Sequence, residues 1–360
     1  MRVHNFGAGP AALPQAVLER VREELLDYAG SGLSILESSH RSPAYDRVHA
    51  GAIENLRSLL GGADDHQVLF MSGGARTQFS AVPMNLLPQG ASAEYVTTGR
   101  WSELALAAAR RHGSAAEIWS SARSNYDAVP SPGDLEHDAD AAYVHYTSNN
   151  TIFGTQFSEQ PAAGAVPLVC DMSSDFLSRP VDLSSYGLIY AGAQKNVGPA
   201  GVTIVLVRKD VLERAAEPAI DTLGYRAMAA KNSLLNTPPV FAIYVVGLVL
   251  GHLESLGGLA AVAARNRVKA EMVYRVIDES AGFFRGHSRP GSRSQMNVTF
   301  RLPSPELETM FVEEAASAGL VGLKGHRSVG GIRASLYNAV EKASVEALVA
   351  FMTDFQQARG

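Results

Sequence analysis

Lys195 is the residue of this sequence whose surroundings best suit covalent chemistry. It lies in the run Ala191-Gly192-Ala193-Gln194-Lys195-Asn196-Val197-Gly198-Pro199, after an apolar segment that predicts a buried strand. Small neighbours allow an amine to be partly desolvated, which lowers the pKa of a lysine and favours imine formation. Most lysines are solvated surface charges, so this residue needs partners before it indicates catalysis.

A glycine turn offers a possible phosphate site. It occupies the run Met71-Ser72-Gly73-Gly74-Ala75-Arg76-Thr77-Gln78, between a predicted strand and a predicted helix. Glycines let a ligand approach the backbone, and free N–H groups at a helix N-terminus bind phosphate. The run lacks the lysine of a Walker loop and the third glycine of a dinucleotide fingerprint. An ordinary tight turn would explain the same residues.

Two further side chains follow predicted strands. Asp171 comes after strand 167–170, where a carboxylate could hold a protonated pyridine nitrogen, and Trp101 comes after Thr97-Thr98-Gly99-Arg100, where an indole could stack on a planar ring. A turn-capping aspartate and a core aromatic are the alternatives. Cofactor sites gather at the carboxyl ends of strands. The order of glycine turn, aromatic, aspartate and a lysine 24 residues later (195 minus 171) resembles that of the pyridoxal-phosphate (PLP) aminotransferases of the aspartate-aminotransferase fold, and this resemblance implies a PLP enzyme.

The elements that would position these side chains alternate along the chain. Strands are predicted at 68–71, 95–97, 117–119, 142–146, 167–170, 188–191 and 201–207, with helices at 76–87 and 102–111. Apolar strands without alternation, separated by helices, predict a mostly parallel sheet covered on both faces.

The pattern changes after Pro238-Pro239. Helices 240–255 and 259–278, strand 296–301, helix 304–318, strand 331–336 and a helix from 344 predict a small α+β unit. The expected organisation is an N-terminal segment 1–15, a large domain 16–255 and a small C-terminal domain 256–360. The position of the boundary near residue 255 is imprecise, because a long helix can bridge the two domains.

The amino-acid composition limits the classes of protein to which this chain can belong. The chain has 360 residues and a net charge of -5, which argues against a general nucleic-acid binder but leaves room for a local basic pocket. Its one cysteine, Cys170, excludes an intramolecular disulfide and a zinc site of several thiolates, and we predict no metal. The N-terminus does not resemble a signal peptide, and the most apolar stretch, 240–250, is about half the length that spans a bilayer. We therefore expect a cytoplasmic enzyme.

Short runs along nearly the whole chain carry a resemblance to a known family. They are Asn5-Phe6, Gly9-Pro10, Leu13-Pro14, Ser38-Ser39-His40-Arg41, Ser178-Arg179-Pro180-Val181-Asp182, Tyr190 to Asn196, Asn236-Thr237-Pro238-Pro239, Met296-Asn297-Val298, Leu323-Lys324-Gly325-His326-Arg327 and Gly330-Gly331-Ile332-Arg333-Ala334-Ser335. With these runs the chain closely resembles the phosphoserine aminotransferases of class V. The resemblance implies an aspartate-aminotransferase-like fold (fold type I), an α/β architecture with PLP as cofactor.

The resemblance also implies a role for each matching residue around the cofactor ring. Lys195 would form the Schiff base with PLP and move the Cα proton of the substrate. Asp171 would pair with the pyridinium nitrogen, Trp101 would stack on the ring, and Thr151 would bind its phenolic oxygen.

A second set would hold the cofactor phosphate. The resemblance implies the backbone amides of Ala75 and Arg76, with the side chain of Gln194, from one subunit. Asn236 and Thr237 would reach the phosphate from the neighbouring subunit. A homodimer with shared active sites is therefore implied.

The implied substrates, phosphoserine and glutamate, each carry two anionic groups, and arginine forks match carboxylate and phosphate. By resemblance, Arg333 would hold the shared α-carboxylate. The phosphate or γ-carboxylate would be held by Arg41, His326 and Arg327, some of them from across the dimer. His40 is a further candidate substrate ligand. Structural or surface ion pairs are the alternative for each of these residues.

The implied reaction is reversible transamination of O-phospho-L-serine with 2-oxoglutarate in serine biosynthesis. The sequence leaves open whether 4-phosphohydroxy-L-threonine, from pyridoxine biosynthesis, also reacts. Three other functions fit the sequence less well. Cysteine desulfuration needs a nucleophilic cysteine on a mobile loop, whereas Cys170 is predicted in a strand. A transaminase for unphosphorylated substrates is disfavoured by the arginine and histidine cluster, and a non-catalytic phosphate-binding module would be colourless.

Overall fold

A seven-stranded sheet lies at the centre of the chain in a computed structural model, which describes residues 2–131 and 133–360. Met1, in the predicted N-terminal segment, and Pro132, in the predicted large domain, lie outside the described residues. The strands are β1 (His4–Asn5), β2 (His66–Ser72), β3 (Ser92–Thr97), β4 (Ser114–Ser120), β5 (Val144–Thr147), β6 (Leu168–Asp171), β7 (Leu188–Gly192), β8 (Val202–Arg208), β9 (Arg285–Gly286), β10 (Asn297–Arg301), β11 (Leu320–Val321) and β12 (Ile332–Ser335).

The central sheet has the strand order β2-β8-β7-β6-β5-β3-β4. β8 runs antiparallel to its neighbours β2 and β7, and the other neighbouring pairs are parallel. β5, β6 and β7 are buried along their whole length, as strands covered on both faces must be. The predicted mostly parallel sheet is confirmed.

Helices cover both faces of this sheet. They are α1 (Gln15–Glu24), α2 (Pro43–Leu59), α3 (Ala75–Leu86), α4 (Arg100–His112), α5 (Lys209–Arg214), α6 (Tyr225–Ala230), α7 (Val240–Ser255), α8 (Gly258–Glu279), α9 (Pro305–Ser317) and α10 (Lys342–Arg359). Val68 and Phe70 of β2 pack in one core cluster with α2 and α7, and Leu69 and Met71 pack in another with α3 and α4. Successive strand residues point to opposite faces, so one strand supplies both clusters. Short 3-10 turns lie at Tyr28–Gly30, Ala122–Ser124, Leu183–Ser185, Asp221–Leu223 and Pro290–Ser292.

The C-terminal part has its own core. β12, β10 and β9 form an antiparallel sheet that shares an apolar cluster with α8, α9 and α10. β1 pairs with β11, and Phe6 belongs to this cluster, so the N-terminal segment packs on the C-terminal unit. α8 joins both cores, because Leu259 lies in the first cluster and Val273 in the C-terminal one. The domain boundary near residue 255 stays a prediction.

Some predicted bounds need correction. α4 begins at Arg100, so Trp101 lies on the helix rather than before it, because Ser102 Oγ accepts the backbone N–H groups of Thr98 and Gly99 and closes the first turn early. β6 includes Asp171 as its last residue. Helices α1 and α2 have no counterpart among the predicted elements.

Among the described residues, none of the helices could by itself span a membrane; α7 and α8 reach the required length and hydropathy only when joined, and they meet at 84°.

Candidate functional site

Three of the predicted site residues lie where neighbouring strands end. Asp171 is the last residue of β6, Lys195 follows β7, and Thr151 follows β5. These three strands are parallel neighbours, so their carboxyl ends meet at one edge of the sheet. The fold thereby brings together residues that are far apart in the sequence.

The Lys195 side chain is enclosed by polar and aromatic groups. Its Nζ donates a hydrogen bond to Thr151 Oγ1 at 2.7 Å and lies 5.6 Å from the centroid of the Trp101 ring. Burial lowers the pKa of Lys195; the charge of Asp171 opposes this shift, and the charge of Arg333 adds to it. A lowered pKa increases the fraction of neutral amine, which is the nucleophilic form.

Asp171 is only 5% exposed and is fixed by one neighbour. Its Oδ1 accepts from Ser173 N at 2.9 Å and from Ser173 Oγ at 2.6 Å, and Ser173 Oγ accepts from Gly192 N at 3.0 Å. Burial raises the pKa of Asp171, whereas the Lys195 charge and the Ser173 hydrogen bonds lower it. Ser173 is not among the predicted site residues. A serine two positions after an aspartate is the sequence signal that could have revealed it.

A helix N-terminus and a glutamine amide form a corner around Gly192. Gly73 has a φ of +99°, which glycine adopts without strain, and Gly74 precedes Ala75, the first residue of α3. A Cβ on Gly192 would lie 3.2 Å from the Ala75 nitrogen and 2.8 Å from Gln194 Oε1, so this glycine keeps the corner open. Gln194 Oε1 is buried without a hydrogen-bond partner among the described residues. Amide groups at a helix N-terminus suit a phosphate.

A cationic corner lies beside Thr151. Arg333, on β12, donates from Nη1 to the Thr151 carbonyl at 3.3 Å, and its buried Nε has no partner within residues 2–131 and 133–360. Burial lowers the pKa of Arg333. Burial and the charges of Arg333 and Arg327 lower the pKa of His326, so these three side chains are close enough to repel. A guanidinium with unused donors can bind a carboxylate bidentately.

Four predicted residues do not join this cluster within one chain. In the described part of the chain, no hydrogen bond, ion pair or ring contact connects His40, Arg41, Asn236 or Thr237 to Lys195 and its neighbours. Arg41 and Thr237 are exposed. Arg76 is also exposed, in the first turn of α3, and the predicted role of its backbone amide stays a prediction.

Tyr337 is a further residue of the site that the sequence did not reveal. It is 1% exposed, and its hydroxyl donates to the Ala8 carbonyl at 2.9 Å and accepts from Asn297 Nδ2 at 3.3 Å. Burial raises the pKa of Tyr337 to about 12, although the Arg333 charge and a hydrogen bond with Thr151 lower it. No local signal marks this tyrosine, because its partners come from three distant segments.

Cys170 is fully buried in β6, and burial raises the pKa of its thiol. Such a thiol lacks the exposure and thiolate character of a nucleophile. Within the described residues, no group of three or more histidine, cysteine, aspartate or glutamate side chains could hold a metal ion.

Comparisons with known proteins cover nearly the whole chain. The family model for class-V aminotransferases matches residues 3–348. A phosphoserine aminotransferase of Lysinibacillus sphaericus is 53% identical, over 99% of this chain and 98% of its own. The solved structure of phosphoserine aminotransferase from Bacillus circulans subsp. alkalophilus superposes with a TM-score of 0.98 at 51% identity, covering 100% and 99% of the two chains. A PLP-bound phosphoserine aminotransferase of Trichomonas vaginalis gives a TM-score of 0.93 at 39% identity, covering 98% and 100%.

The lowered pKa of Lys195 can be measured on the apoprotein. We expect competitive acetylation across a pH series, followed by mass spectrometry of the Lys195 peptide, to give a midpoint below that of the same peptide in urea, where lysine titrates at about 10.4. In Asp171→Asn the midpoint should fall further, because the Asp171 charge raises the pKa of Lys195. A midpoint equal to that in urea would contradict the buried environment described above.

Proposed function

We propose that this chain, which belongs to the class V aminotransferase family, catalyses reversible transamination of O-phospho-L-serine with 2-oxoglutarate, giving 3-phosphohydroxypyruvate and L-glutamate. The reaction would serve serine biosynthesis. For the reaction class, the supporting observation is the partly buried Lys195 amine, which is close enough to Asp171 and Arg333 to interact with their charges. For the substrate, it is the identity of 53% over 99% of this chain to a relative named for that activity.

The residues at the sheet edge suit PLP as the cofactor. The corner at Gly192 is lined by two donors, Ala75 N and Gln194 Nε2, and both can donate to the oxygens of a phosphate group. Asp171 has Oδ1 engaged with Ser173, whereas its second oxygen makes no hydrogen bond among the described residues and is available to a ring nitrogen. Lys195 supplies the amine, Thr151 a hydroxyl for the ring, and Trp101 a stacking surface.

When bound, PLP supplies an electron sink for the charge that develops at the substrate Cα. Lys195 Nζ would remove the Cα proton as general base and, as general acid, would deliver it to the cofactor carbon that carries the amino group. Its lowered pKa increases the fraction of neutral amine, which is the form that accepts a proton. Asp171, held by Ser173, would keep the ring nitrogen protonated, a preorganised charge that needs no rearrangement during the reaction.

The cationic corner would hold the two anionic groups of the substrate. We assign the α-carboxylate to Arg333, because its guanidinium lies beside Thr151 with a buried donor unused. The phosphate or γ-carboxylate would bind His326 and Arg327, with Arg41 and His40 contributed from across a homodimer. Asn236 and Thr237 would likewise complete the partner's phosphate site, which accounts for their separation from Lys195 within one chain. We place this homodimer in the cytoplasm.

Lys195→Ala should abolish transamination. The loss of the amine removes both cofactor attachment and proton transfer, and proton transfer alone is worth about 10²–10⁴-fold. We expect the purified wild-type protein to absorb visible light and to lose this absorbance on borohydride reduction. We expect the purified Lys195→Ala variant to lack the absorbance. Lys209→Ala, at the exposed start of α5, is the matched control and should keep wild-type activity and colour. Normal turnover by Lys195→Ala would exclude the assignment, and a colourless wild type would favour a non-catalytic phosphate-binding module.

The preferred amino donor should be phosphorylated. A panel of O-phospho-L-serine, 4-phosphohydroxy-L-threonine, serine and alanine, assayed with 2-oxoglutarate, should give the highest kcat/KM for phosphoserine, because two cationic groups can then bind two anionic groups. Reaction of phosphohydroxythreonine would add a role in pyridoxine biosynthesis. Equal kcat/KM for serine and phosphoserine would point instead to a transaminase for unphosphorylated substrates.

Shared active sites can be tested by mixing inactive variants. Lys195→Ala and Asn236→Ala/Thr237→Ala should each have little activity when assayed at a PLP concentration that saturates the wild type but not the second variant. Unfolding and refolding them together should restore about one quarter of wild-type activity, because about half the dimers are mixed and each mixed dimer has one intact site. Each variant refolded alone is the control. No restored activity would mean that the residues act within their own chain.

A further inference from the structure

A buried lysine on the helix that joins the two cores has no assigned role in the reaction. Lys269, on α8, is 3% exposed, and no carboxylate pairs with it in the described part of the chain. Its Nζ donates to the carbonyls of Leu336, Tyr337 and Val340 at 2.9, 2.8 and 2.9 Å. An ammonium group has three donors and no acceptor, so all of its hydrogen bonds converge on this one segment.

Burying this amine without an opposite charge is unfavourable, and a packed apolar side chain would avoid the penalty. Burial lowers the pKa of Lys269 to about 7. The three accepting carbonyls favour the charged form, because the neutral amine has only two donors for them. The carbonyls would themselves lose their partner if the amine were removed. The lysine is therefore better explained by the geometry that it imposes on the segment 336–340 than by core packing.

The segment 336–340, which we call the β12 turn, directly follows the strand that carries Arg333. On its other side it contacts the residue next to Lys195: Asn338 N donates to Asn196 Oδ1 at 2.9 Å. Asn196 Nδ2 in turn donates to the Phe176 carbonyl at 2.7 Å. The β12 turn thus lies between the proposed carboxylate ligand and the proposed catalytic lysine.

The side chain of Asn338 extends this connection to the loop after Asp171. Its Nδ2 donates to the Leu177 carbonyl at 2.9 Å, and its Oδ1 accepts from Asn266 Nδ2 at 2.8 Å. Leu177 has a φ of +57°, a left-handed conformation that a bulky residue rarely adopts unless its surroundings hold it. Asn266 lies one turn before Lys269 on α8, so one face of the helix contacts the β12 turn through both residues. We call the contact of the β12 turn with Asn196 and with the loop after Asp171 the joint.

We propose that Lys269 is a positioning residue for the reaction: by binding the three carbonyls of the β12 turn, it sets the position of Arg333 relative to Lys195. The proposal rests on the proposed function, because it needs Arg333 to bind substrate and Lys195 to react. Lys269 itself touches neither the substrate nor the cofactor. Its removal should therefore change substrate binding through Arg333 more than the chemistry at Lys195.

Lys269→Met tests this role, because methionine fills a similar volume without donors. The matched control is Val345→Ala, a fully buried residue of the same C-terminal core that makes no side-chain hydrogen bond. Three measurements compare the variants: urea unfolding, amide hydrogen exchange of the apoprotein, and steady-state kinetics of the holoenzyme with phosphoserine and 2-oxoglutarate. Binding of 3-phosphoglycerate, which has a carboxylate and a phosphate but no amino group, reports affinity without turnover.

We expect Lys269→Met to increase amide exchange about tenfold in peptides covering 333–340 and 193–198, because the turn loses its three hydrogen bonds. KM for both substrates and Kd for 3-phosphoglycerate should rise about tenfold, a larger factor than the fall in kcat. Val345→Ala should lower the urea midpoint while leaving exchange at 193–198, KM and Kd at wild-type values. The same exchange pattern and kinetics in both variants would overturn the proposal and leave Lys269 a core residue.

Lys269→Gln tests the same contacts if Lys269→Met does not fold. The glutamine side chain is shorter and has two N–H donors, so it cannot bind all three carbonyls as the ammonium group does. Faster exchange at 333–340 and 193–198 and a raised KM are therefore expected, and wild-type values for all of these would overturn the proposal. Hydrogen exchange of the apoprotein does not depend on the substrate. If exchange is faster in the variant but the wild type has no activity toward phosphoserine, the proposed function is contradicted, whereas the role of Lys269 in holding the joint is not.

Discussion

At one sheet edge the Asp171 carboxylate is buried and the Lys195 amine is partly buried, and the surrounding structure must compensate for removing both charges from water. Removing a charge from water is unfavourable unless opposite charges and hydrogen bonds replace the solvent. Thr151 accepts from the amine, and Ser173 donates twice to the carboxylate. The same burial lowers the pKa of Lys195. The free-energy cost of burying the amine is therefore linked to the reactivity of that amine.

The fold meets this requirement with parallel strands on one side and a separate unit on the other. β5, β6 and β7 end at one edge, which fixes Thr151, Asp171 and Lys195 relative to one another. Arg333 comes from β12, in the C-terminal sheet, and donates a hydrogen bond to Thr151, which follows β5 of the central sheet. The relative position of the two cores therefore decides whether an anion at Arg333 lies within reach of the lysine.

Much of this could be predicted from the sequence. The apolar strands and the helices between them follow local patterns, and the predicted α7 coincides with the observed helix. Lys195, Asp171 and the glycine turn were found because each follows a recognisable strand end. Ser173 carries a weak local signal, whereas Tyr337 carries none, because it bonds to Ala8 and Asn297 only once distant segments meet. Helices α1 and α2 were not predicted, although α2 has a recognisable start: Ser42 accepts from Tyr45 N as the N-cap, and Pro43 is the first helical residue.

The amino-acid sequence by itself determined the fold class, the family and the order along the chain of the residues expected to bind PLP. These depend on local periodicity and on matched runs along the chain. Tertiary structure alone decided which polar groups are buried and paired. It separated Asn236 and Thr237 from Lys195 within one chain, and it brought Lys269 of α8 onto the turn after Arg333. Burial and hydrogen bonding between distant segments depend on how the two cores pack, and no local pattern encodes that packing.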